Sequence, residues 1–349
     1  MTEEWNHGDV SDAELIELGL DPAQCLDFAV NVDPRGPAPA LQQAVVEAKV
    51  GRYPDPACRE LTAALALRDG VPEDRVLVGA GVTGLLWDVF RAVSPQTRVL
   101  VPQHTFAEYD AAPRAHGLHV ETLGRSSADG WALDWECTEA WLTRDGPRSF
   151  VLGAPDNPSG SIPDFDRLRR LAEAAPQAWI VLDEAFLRLS ARPERVHEQL
   201  PDNVLRLRSL TKELAIPGLR VGYMVACSST IDRVRATAQP WSVGTPAQAA
   251  AIAGANDPSL AEDARLRMRA DVEALSTQLR EIGLTVLPTD TVYLLAEVPS
   301  ATELARWCRA RGVLVRDCSS FGLPGHIRLL GRPAADRRRL VTLLQEFFS

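Results

Sequence analysis

The chain contains few amines that could act as covalent nucleophiles. Of its 37 lysine and arginine residues only Lys49 and Lys212 are lysines, so chemistry that needs an amine has two candidate positions. Lys212 closes the run Ser209-Leu-Thr-Lys212 and is followed by Ala215-Ile-Pro-Gly-Leu-Arg220, whose Pro and Gly predict a rigid turn. Because isolated lysines usually stay solvated, the role of Lys212 depends on its neighbours.

Polar and aromatic side chains follow several predicted strands, at the edge where open α/β sheets bind ligands. Asp183 ends the apolar run Trp179-Ile-Val-Leu-Asp183, so its partly buried carboxylate needs a cationic partner. Asn157 has an amide that can donate a hydrogen bond, and Tyr109 has a ring that can cover another ring. Candidate phosphate donors are the backbone of Gly81, Val82 and Thr83, the hydroxyls of Ser209 and Thr211, and the guanidinium of Arg220.

Together these groups are what pyridoxal phosphate requires of a protein. A lysine condenses with the aldehyde of the cofactor, an acid keeps its pyridine nitrogen protonated, and a donor binds its ring oxygen. Lys212, Asp183 and Asn157 are the candidates for these three roles. Tyr109 would cover the ring, and the phosphate donors would form a cradle. The residues therefore predict a pyridoxal 5'-phosphate site.

A second interpretation starts from the glycines near residue 80. Gly79-Ala-Gly81-Val-Thr-Gly84 matches the G-x-G-x-x-G pattern of dinucleotide sites, between a predicted strand and a predicted helix. Such sites also place an acid about 20 residues further on, where the segment 102–105 has none. An NAD-dependent dehydrogenase is thus a remote alternative, and the helix N-terminus can bind a phosphate in either case.

Other catalytic motifs are incomplete. Ser209-Leu-Thr-Lys212 fits the S-x-x-K motif of acylating serine enzymes, but the sequence lacks the accompanying S-D-N and K-T-G motifs. Neither lysine follows a glycine, as a nucleotide-binding P-loop requires. The six cysteines are scattered without metal-binding spacing, so we expect no metal site.

The composition restricts the possible partners. A formal net charge of −10 and 46% hydrophobic residues are typical of a globular chain, not a disordered one. The acidity argues against nucleic acid or an anionic membrane as a partner. No window approaches the ~20 apolar residues of a membrane helix, and the N-terminus does not resemble a secretory signal. We expect a cytoplasmic enzyme that acts on small molecules.

The elements that must position these residues alternate along the chain. Between residues 75 and 226, short β-rich runs alternate with amphipathic stretches, which predicts an α/β fold with a mainly parallel sheet sandwiched by helices. The clearest helix is 82–93, whose apolar residues recur at helical spacing. We expect an N-terminal arm at 1–30, a large cofactor-binding domain at 31–250 and a smaller α+β domain at 251–349. A linking helix is predicted at about 246–282.

The same motifs, in this order, carry a family resemblance. The chain resembles fold-type I pyridoxal-phosphate enzymes of the class I/II aminotransferase superfamily, in the branch of histidinol-phosphate aminotransferase and threonine-phosphate decarboxylase. The resemblance runs nearly end to end, through the segments Leu26–Asn31, Tyr53–Pro56, Thr105–Tyr109, Asn157–Gly160, Asp183–Phe186, Ser209–Lys212, Pro217–Arg220 and Arg316–Phe321.

The resemblance implies a role for individual residues. Lys212 would be the cofactor-binding lysine and proton shuttle, Asp183 would bind the pyridine nitrogen, and Tyr109 would complete the catalytic set. Tyr53 would reach the phosphate in the other subunit, which implies a homodimer with shared active sites. The cofactor would further be held by Gly81, Val82, Thr83, Asn157, Ser209, Thr211 and Arg220, and the substrate by Asn31, Arg316, Arg328 and His7.

Finer features concern the substrate. His7-Gly8, Phe186, Pro240-Trp-Ser-Val243 and the segment 316–321 are more similar to the decarboxylase, so we expect decarboxylation of threonine phosphate. Transamination of the histidinol-phosphate type, with glutamate and 2-oxoglutarate, is the alternative within amino-acid metabolism. A further alternative is a regulator that binds pyridoxal phosphate but catalyses no reaction. Gly244 replaces an asparagine of the family and leaves the exact substrate open.

Overall fold

The computed structural model describes residues 10–126 and 130–349. The strands of these residues are β1 (Leu26–Asp27), β2 (Val76–Gly79), β3 (Arg98–Pro102), β4 (His119–Leu123), β5 (Arg148–Gly153), β6 (Trp179–Asp183), β7 (Val204–Ser209), β8 (Gly222–Val225), β9 (Tyr293–Glu297), β10 (Val313–Leu314), β11 (Arg316–Asp317) and β12 (His326–Leu330).

The helices surround these strands and connect most of them. They are α1 (Asp12–Glu17), α2 (Pro39–Val46), α3 (Arg59–Asp69), α4 (Gly81–Ala92), α5 (Glu108–Ala115), α6 (Trp135–Leu142), α7 (Phe165–Ala174), α8 (Leu210–Glu213), α9 (Ser228–Arg235), α10 (Thr245–Asn256), α11 (Ser259–Glu281), α12 (Ala301–Arg309) and α13 (Ala334–Phe348). Among the described residues, no helix combines the length and the apolarity that crossing a membrane requires.

A seven-stranded sheet lies at the centre, in the order β2-β8-β7-β6-β5-β3-β4. The five strands from β7 to β4 are parallel, and β8 runs antiparallel to both of its neighbours. Both faces are covered: Val181 packs against the α4 side of the sheet, and Leu182 packs with α7 on the other side. The predicted mainly parallel sheet between two helical layers is therefore confirmed.

Helix α4 begins directly after β2, as the periodicity predicted to within one residue. Val82, Leu85, Leu86, Val89 and Phe90 form its buried face. Gly81, at the first helical position, has a φ of 77°, a conformation that glycine adopts without strain. Because β2 runs in the same direction as β7, the N-terminus of α4, with its free N–H groups, lies at the carboxyl edge of the sheet.

The predicted linking helix at 246–282 is wrong in one respect, because two helices occupy this range. Helix α10 ends at Asn256 and α11 begins at Ser259, with Pro258 between them. A proline inside a continuous helix would lack one N–H donor and clash with the preceding turn. The Asp257 carboxylate accepts hydrogen bonds from the Ser259 backbone and hydroxyl, which starts the second helix.

A small antiparallel sheet, in the order β11-β12-β9, follows α11 in the chain. In its register Arg316 of β11 lies opposite Arg328 of β12. Strand β1, from the predicted arm, pairs in parallel with β10, and Leu330 donates its backbone N–H to the Phe28 carbonyl. These pairings place residues 26–31 beside the small sheet. The division into an arm and two domains stays a prediction, and His7 lies outside the described residues.

Candidate active site

A cavity of about 910 Å³ lies at the carboxyl ends of β5, β6 and β7. Polar side chains from both sheets converge there, as ligand sites in open α/β folds do. Most residues predicted for the site line this cavity: Asn31, Val82, Thr83, Tyr109, Asn157, Asp183, Ser209, Thr211, Lys212, Arg220, Arg316 and Arg328.

Asp183 is a buried carboxylate at the end of β6. Its Oδ1 accepts a hydrogen bond of 2.9 Å from the Ala185 N–H, and its Oδ2 accepts one of 2.8 Å from the Tyr109 hydroxyl. Burial raises the pKa of Asp183 to about 6, although both hydrogen bonds favour the ionised form. Because both donors are neutral, a cation at this end of the cavity would stabilise the carboxylate. The protonated nitrogen of a pyridine ring supplies such a charge.

Lys212 lies in the short helix α8 and lines the same cavity. Its Nζ is 5.7 Å from the centre of the Phe186 ring. Phe186 packs edge-on against Tyr293, with ring centres 5.1 Å apart. A phenyl ring cannot donate a hydrogen bond, so Phe186 gives the cavity an apolar wall beside the amine.

Asn157 and Arg328 form a pair that fixes the direction of the amide. Arg328 Nη1 donates to Asn157 Oδ1 at 2.5 Å, and Arg328 Nη2 donates to the Ala29 carbonyl at 2.6 Å. Since the amide oxygen already accepts from a guanidinium, the amide nitrogen is the atom left to donate to a ligand. Burial lowers the pKa of Arg328, although a guanidinium stays charged at neutral pH.

The cavity offers further groups for an anionic or hydrogen-bonding ligand. Arg316, on the neighbouring strand, donates to the Ser320 hydroxyl at 2.8 Å and lies over the Phe321 ring. Asn31 is buried, and its Oδ1 accepts no hydrogen bond within the part of the chain that the structure describes. A donor on a bound molecule would satisfy this oxygen.

A phosphate cradle is assembled from three segments. Ser209 Oγ and Thr211 Oγ1 are buried and lie 2.7 Å apart. A Cβ atom added to Gly81 would lie 3.1 Å from Arg220 Nη2, so the guanidinium sits directly above the N-terminus of α4. Helix N–H groups, two hydroxyls and a guanidinium are the donors that a phosphate dianion attracts. The residues present therefore fit pyridoxal phosphate at both its ring and its phosphate.

Of the described residues predicted for the site, Gly81 and Tyr53 are not among those that line the cavity. Tyr53 is 88% exposed and does not line the cavity of its own chain. Its ring centre lies 5.8 Å from that of Trp241, which is also exposed. His7 is outside the described residues, so its predicted contact with substrate stays a prediction.

Sequence reasoning missed Glu108 and Trp87, which both line the cavity. The Glu108 carboxylate is buried and accepts a hydrogen bond of 2.7 Å from Trp87 Nε1. A sequence signal was available, because Glu108 directly precedes Tyr109 at the start of α5. Its partner Trp87 faces it from α4, a packing that the sequence pattern does not reveal.

Comparison with known proteins gives one family. Residues 23–345 match the family described as aminotransferase class I and II. The chain is 32% identical to a histidinol-phosphate aminotransferase of Halorubrum lacusprofundi, over 95% of this chain and 91% of the relative. It is also 32% identical to the threonine-phosphate decarboxylase of Salmonella typhimurium, over 97% of this chain and 95% of the relative.

Two solved structures are similar along most of the chain. The histidinol-phosphate aminotransferase of Sinorhizobium meliloti, in complex with pyridoxal-5'-phosphate, has a TM-score of 0.86 and 25% identity and covers 97% of this chain and 94% of its own. The L-threonine-O-3-phosphate decarboxylase of Porphyromonas gingivalis has a TM-score of 0.80 and 26% identity and covers 93% of this chain and 99% of its own.

The raised pKa of Asp183 predicts a pH-dependent effect of Asp183→Asn on the cofactor-free protein. The folded state holds its proton up to about pH 6, whereas the unfolded chain releases it near its ordinary pKa of 3.8. Wild-type stability therefore falls through this window as pH rises, and the asparagine variant avoids that loss. Denaturant unfolding should show the free energy of unfolding of the variant rising relative to that of wild type by roughly 2 kcal/mol between about pH 4 and pH 7. A difference that is constant with pH would contradict the assignment.

Proposed function

Since the chain belongs to the aminotransferase class I and II family of pyridoxal-phosphate-dependent enzymes, we propose that it decarboxylates a small phosphorylated amino acid of the threonine-phosphate type. The observation that carries the proposal is the pair of buried arginines, Arg316 and Arg328, opposite each other on neighbouring strands at the cavity. Two guanidiniums can bind two anionic groups of one substrate, a carboxylate and a phosphate.

In this proposal the chain holds pyridoxal phosphate through the residues at the ends of β6 and β7. Asp183 would bind the pyridine nitrogen, Asn157 would donate to the ring oxygen, and Lys212 would bind the aldehyde carbon through its amine. The phosphate would be held by the cradle described above, which consists of the α4 N-terminus, Ser209, Thr211 and Arg220. When bound, the cofactor withdraws electrons from a bond at the substrate Cα atom.

The protein determines the reaction by orienting the substrate and by moving protons. Arg328 is held by Asn157 and Ala29, so its guanidinium has little freedom to follow a ligand. If the arginines orient the substrate so that the bond to its carboxylate is the one weakened, carbon dioxide would leave and the Lys212 amine would return a proton to Cα. If they orient it so that the Cα–H bond is weakened, the Lys212 amine would take that proton, as transamination requires. Phe186 places an apolar wall beside that amine.

The family resemblance and the relatives bear on the choice between these reactions. By the resemblance, Phe186 and the segment 316–321 are more similar to the decarboxylase, which is our reason for proposing decarboxylation first. The relatives include proteins named for each activity, both at 32% identity. Transamination of a histidinol-phosphate type of substrate is therefore the second candidate function. Because the chain belongs to this family, we propose pyridoxal phosphate and not a dinucleotide as the ligand of the glycine motif. The motif is compatible with this ligand, since the N-terminus of α4 can bind its phosphate.

We also propose that two copies of the chain share their active sites. Tyr53 is exposed on its own chain and lies beside Trp241, which is also exposed. Val46 and Val50, close to Tyr53 in the sequence, are 78% and 75% exposed. Apolar side chains at this exposure are typical of a surface that another chain covers. The Tyr53 hydroxyl would then reach the cofactor phosphate of the partner.

The reaction is tested by supplying each substrate separately to the purified enzyme. With O-phosphothreonine we expect release of carbon dioxide without consumption of a keto acid. Arg328→Ala should lower kcat/KM by roughly ten- to a hundredfold, because a charge-assisted contact to the substrate is lost. Formation of glutamate from 2-oxoglutarate and histidinol phosphate would instead select the transaminase, and wild-type kinetics in Arg328→Ala would remove that residue from the site.

The shared site is tested by mixing two inactive variants. In a mixed dimer of Lys212→Ala with Tyr53→Ala, one site receives both substitutions and the other receives neither. Reassembly of the mixture should therefore recover about a quarter of the wild-type activity, since half of the dimers are mixed and each has one intact site. Activity no higher than that of the two separate variants would show that Tyr53 does not serve the partner's site.

A further inference from the structure

Each of the two central cofactor contacts proposed above is followed in the chain by a buried glutamate. Glu184 follows Asp183, and its side chain is 0% exposed. Glu213 follows Lys212, and its side chain is 4% exposed. Buried carboxylates are costly unless they are paired, so the partners of these two residues determine how the adjacent backbone is held.

Glu184 is bound by two arginines of β7. Arg206 reaches Glu184 Oε1 at 2.6 Å, and Arg208 Nε donates to Glu184 Oε2 at 2.8 Å. Both arginines lie on the face of β7 opposite Leu205 and Leu207, which pack in the apolar core. One face of this strand is therefore ionic and the other is apolar.

Glu213 is bound from two other directions. Arg68 Nη1, at the end of α3, donates to Glu213 Oε1 at 2.7 Å. Arg188 Nε, in the loop after β6, lies 3.5 Å from Glu213 Oε2. The residue after Lys212 is thus tied both to an outer helix and to the loop that follows Asp183.

Asp69 joins these two groups into one network. Its Oδ2 accepts hydrogen bonds from Arg208 at 2.5 Å and from the Tyr223 hydroxyl at 2.7 Å, and its Oδ1 accepts from Arg188. A continuous chain of ion pairs therefore runs from Glu184 to Glu213. We call this set the ion network; its members are Arg68, Asp69, Glu184, Arg188, Arg206, Arg208, Glu213 and Tyr223.

The charges of the ion network nearly balance. Burial alone would raise the pKa of Asp69, but Arg208, Arg188 and Arg68 lower it to about 2. Four arginines face three carboxylates, so the network carries one net positive charge when all are ionised. A buried network of this size gains little stability over an apolar core, because each ion loses its hydration. We therefore look for its role in the backbone positions that it fixes next to Asp183 and Lys212.

We propose that the ion network positions the two cofactor contacts, with Glu213 as the positioning residue for Lys212, and that it sets the electrostatic potential at the Lys212 amine. The inference rests on the proposed binding of the cofactor by Lys212. It assigns a role to residues that line no part of the cavity.

The sign of the effect follows from the charges. Removing the carboxylate of Glu213 makes the surroundings of Lys212 more positive, which disfavours a proton on its nitrogen. Removing the guanidinium of Arg188 has the opposite effect. A loss of stability alone cannot change the protonation of the Lys212 nitrogen in opposite directions in these two variants. The titratable groups that line the cavity side are unchanged in either variant: Glu108, Tyr109, Asp183, Arg220, Arg316 and Arg328.

The experiment follows the visible absorption band of the bound cofactor as a function of pH. For Glu213→Gln we expect the midpoint of the spectral change to move to lower pH by roughly half a unit or more, and for Arg188→Gln to move to higher pH. Arg188 is 20% exposed, so its substitution is the milder of the two if Glu213→Gln folds poorly. Unfolding by denaturant is measured in parallel.

Asp271→Asn is the matched control. Asp271 is a buried carboxylate bound by two arginines, Arg35 at 2.7 Å and Arg337 at 2.6 Å, and it lies on α11 away from the cavity lining. This variant should lose stability and keep the wild-type midpoint. Equal midpoints in wild type, Glu213→Gln and Arg188→Gln would overturn the network inference alone. A wild-type protein that forms no visible band would overturn the proposed role of Lys212, and this inference with it.

Discussion

The burial of one carboxylate, that of Asp183, is the constraint on which the site depends. An ionised acid at the end of an apolar strand is unfavourable unless a cation lies beside it, and its two hydrogen bonds come from neutral donors. The raised pKa of this group expresses the same deficit of positive charge. A protonated pyridine nitrogen would remove the deficit, so in the proposed binding mode the carboxylate and the cofactor would stabilise each other. The remaining polar groups of the cavity include the donors that the ring oxygen and the phosphate of such a cofactor require.

The fold supplies this arrangement through the direction of its strands. Because β5, β6 and β7 are parallel, the last residues of β6 and β7, Asp183 and Ser209, lie at the same edge of the sheet as Asn157, which follows β5. Because β8 is antiparallel, it begins at this edge, and Arg220 in the turn before it lies at the N-terminus of α4. The small sheet adds two arginines, Arg316 and Arg328, to the lining of the cavity. In the proposed binding mode the cofactor is therefore held mainly from the large sheet, and the two arginines that bind the substrate come from the small one.

Much of this could be predicted from the sequence, because the signals are local. The alternation of apolar runs and amphipathic stretches predicts the sheet, and residues at strand ends predict the cavity lining. What could not be predicted depends on contacts between distant segments. The break at Pro258 replaces one expected helix by two, and the Trp87–Glu108 contact needs the packing of α4 on α5. The ion network joins residues 68 and 213, whose proximity no sequence period reveals.

The proposed attachment of the cofactor to Lys212 can be tested by locating the lysine that binds it. The enzyme loaded with pyridoxal phosphate is reduced with borohydride, which fixes the cofactor to the amine that holds it, and is then digested and analysed by mass spectrometry. Lys49 and Lys212 are the only two lysines, so after tryptic digestion we expect the added mass in the peptide 209–220 and no added mass in the Lys212→Ala variant. Modification at Lys49, or an unmodified chain after reduction, would contradict it.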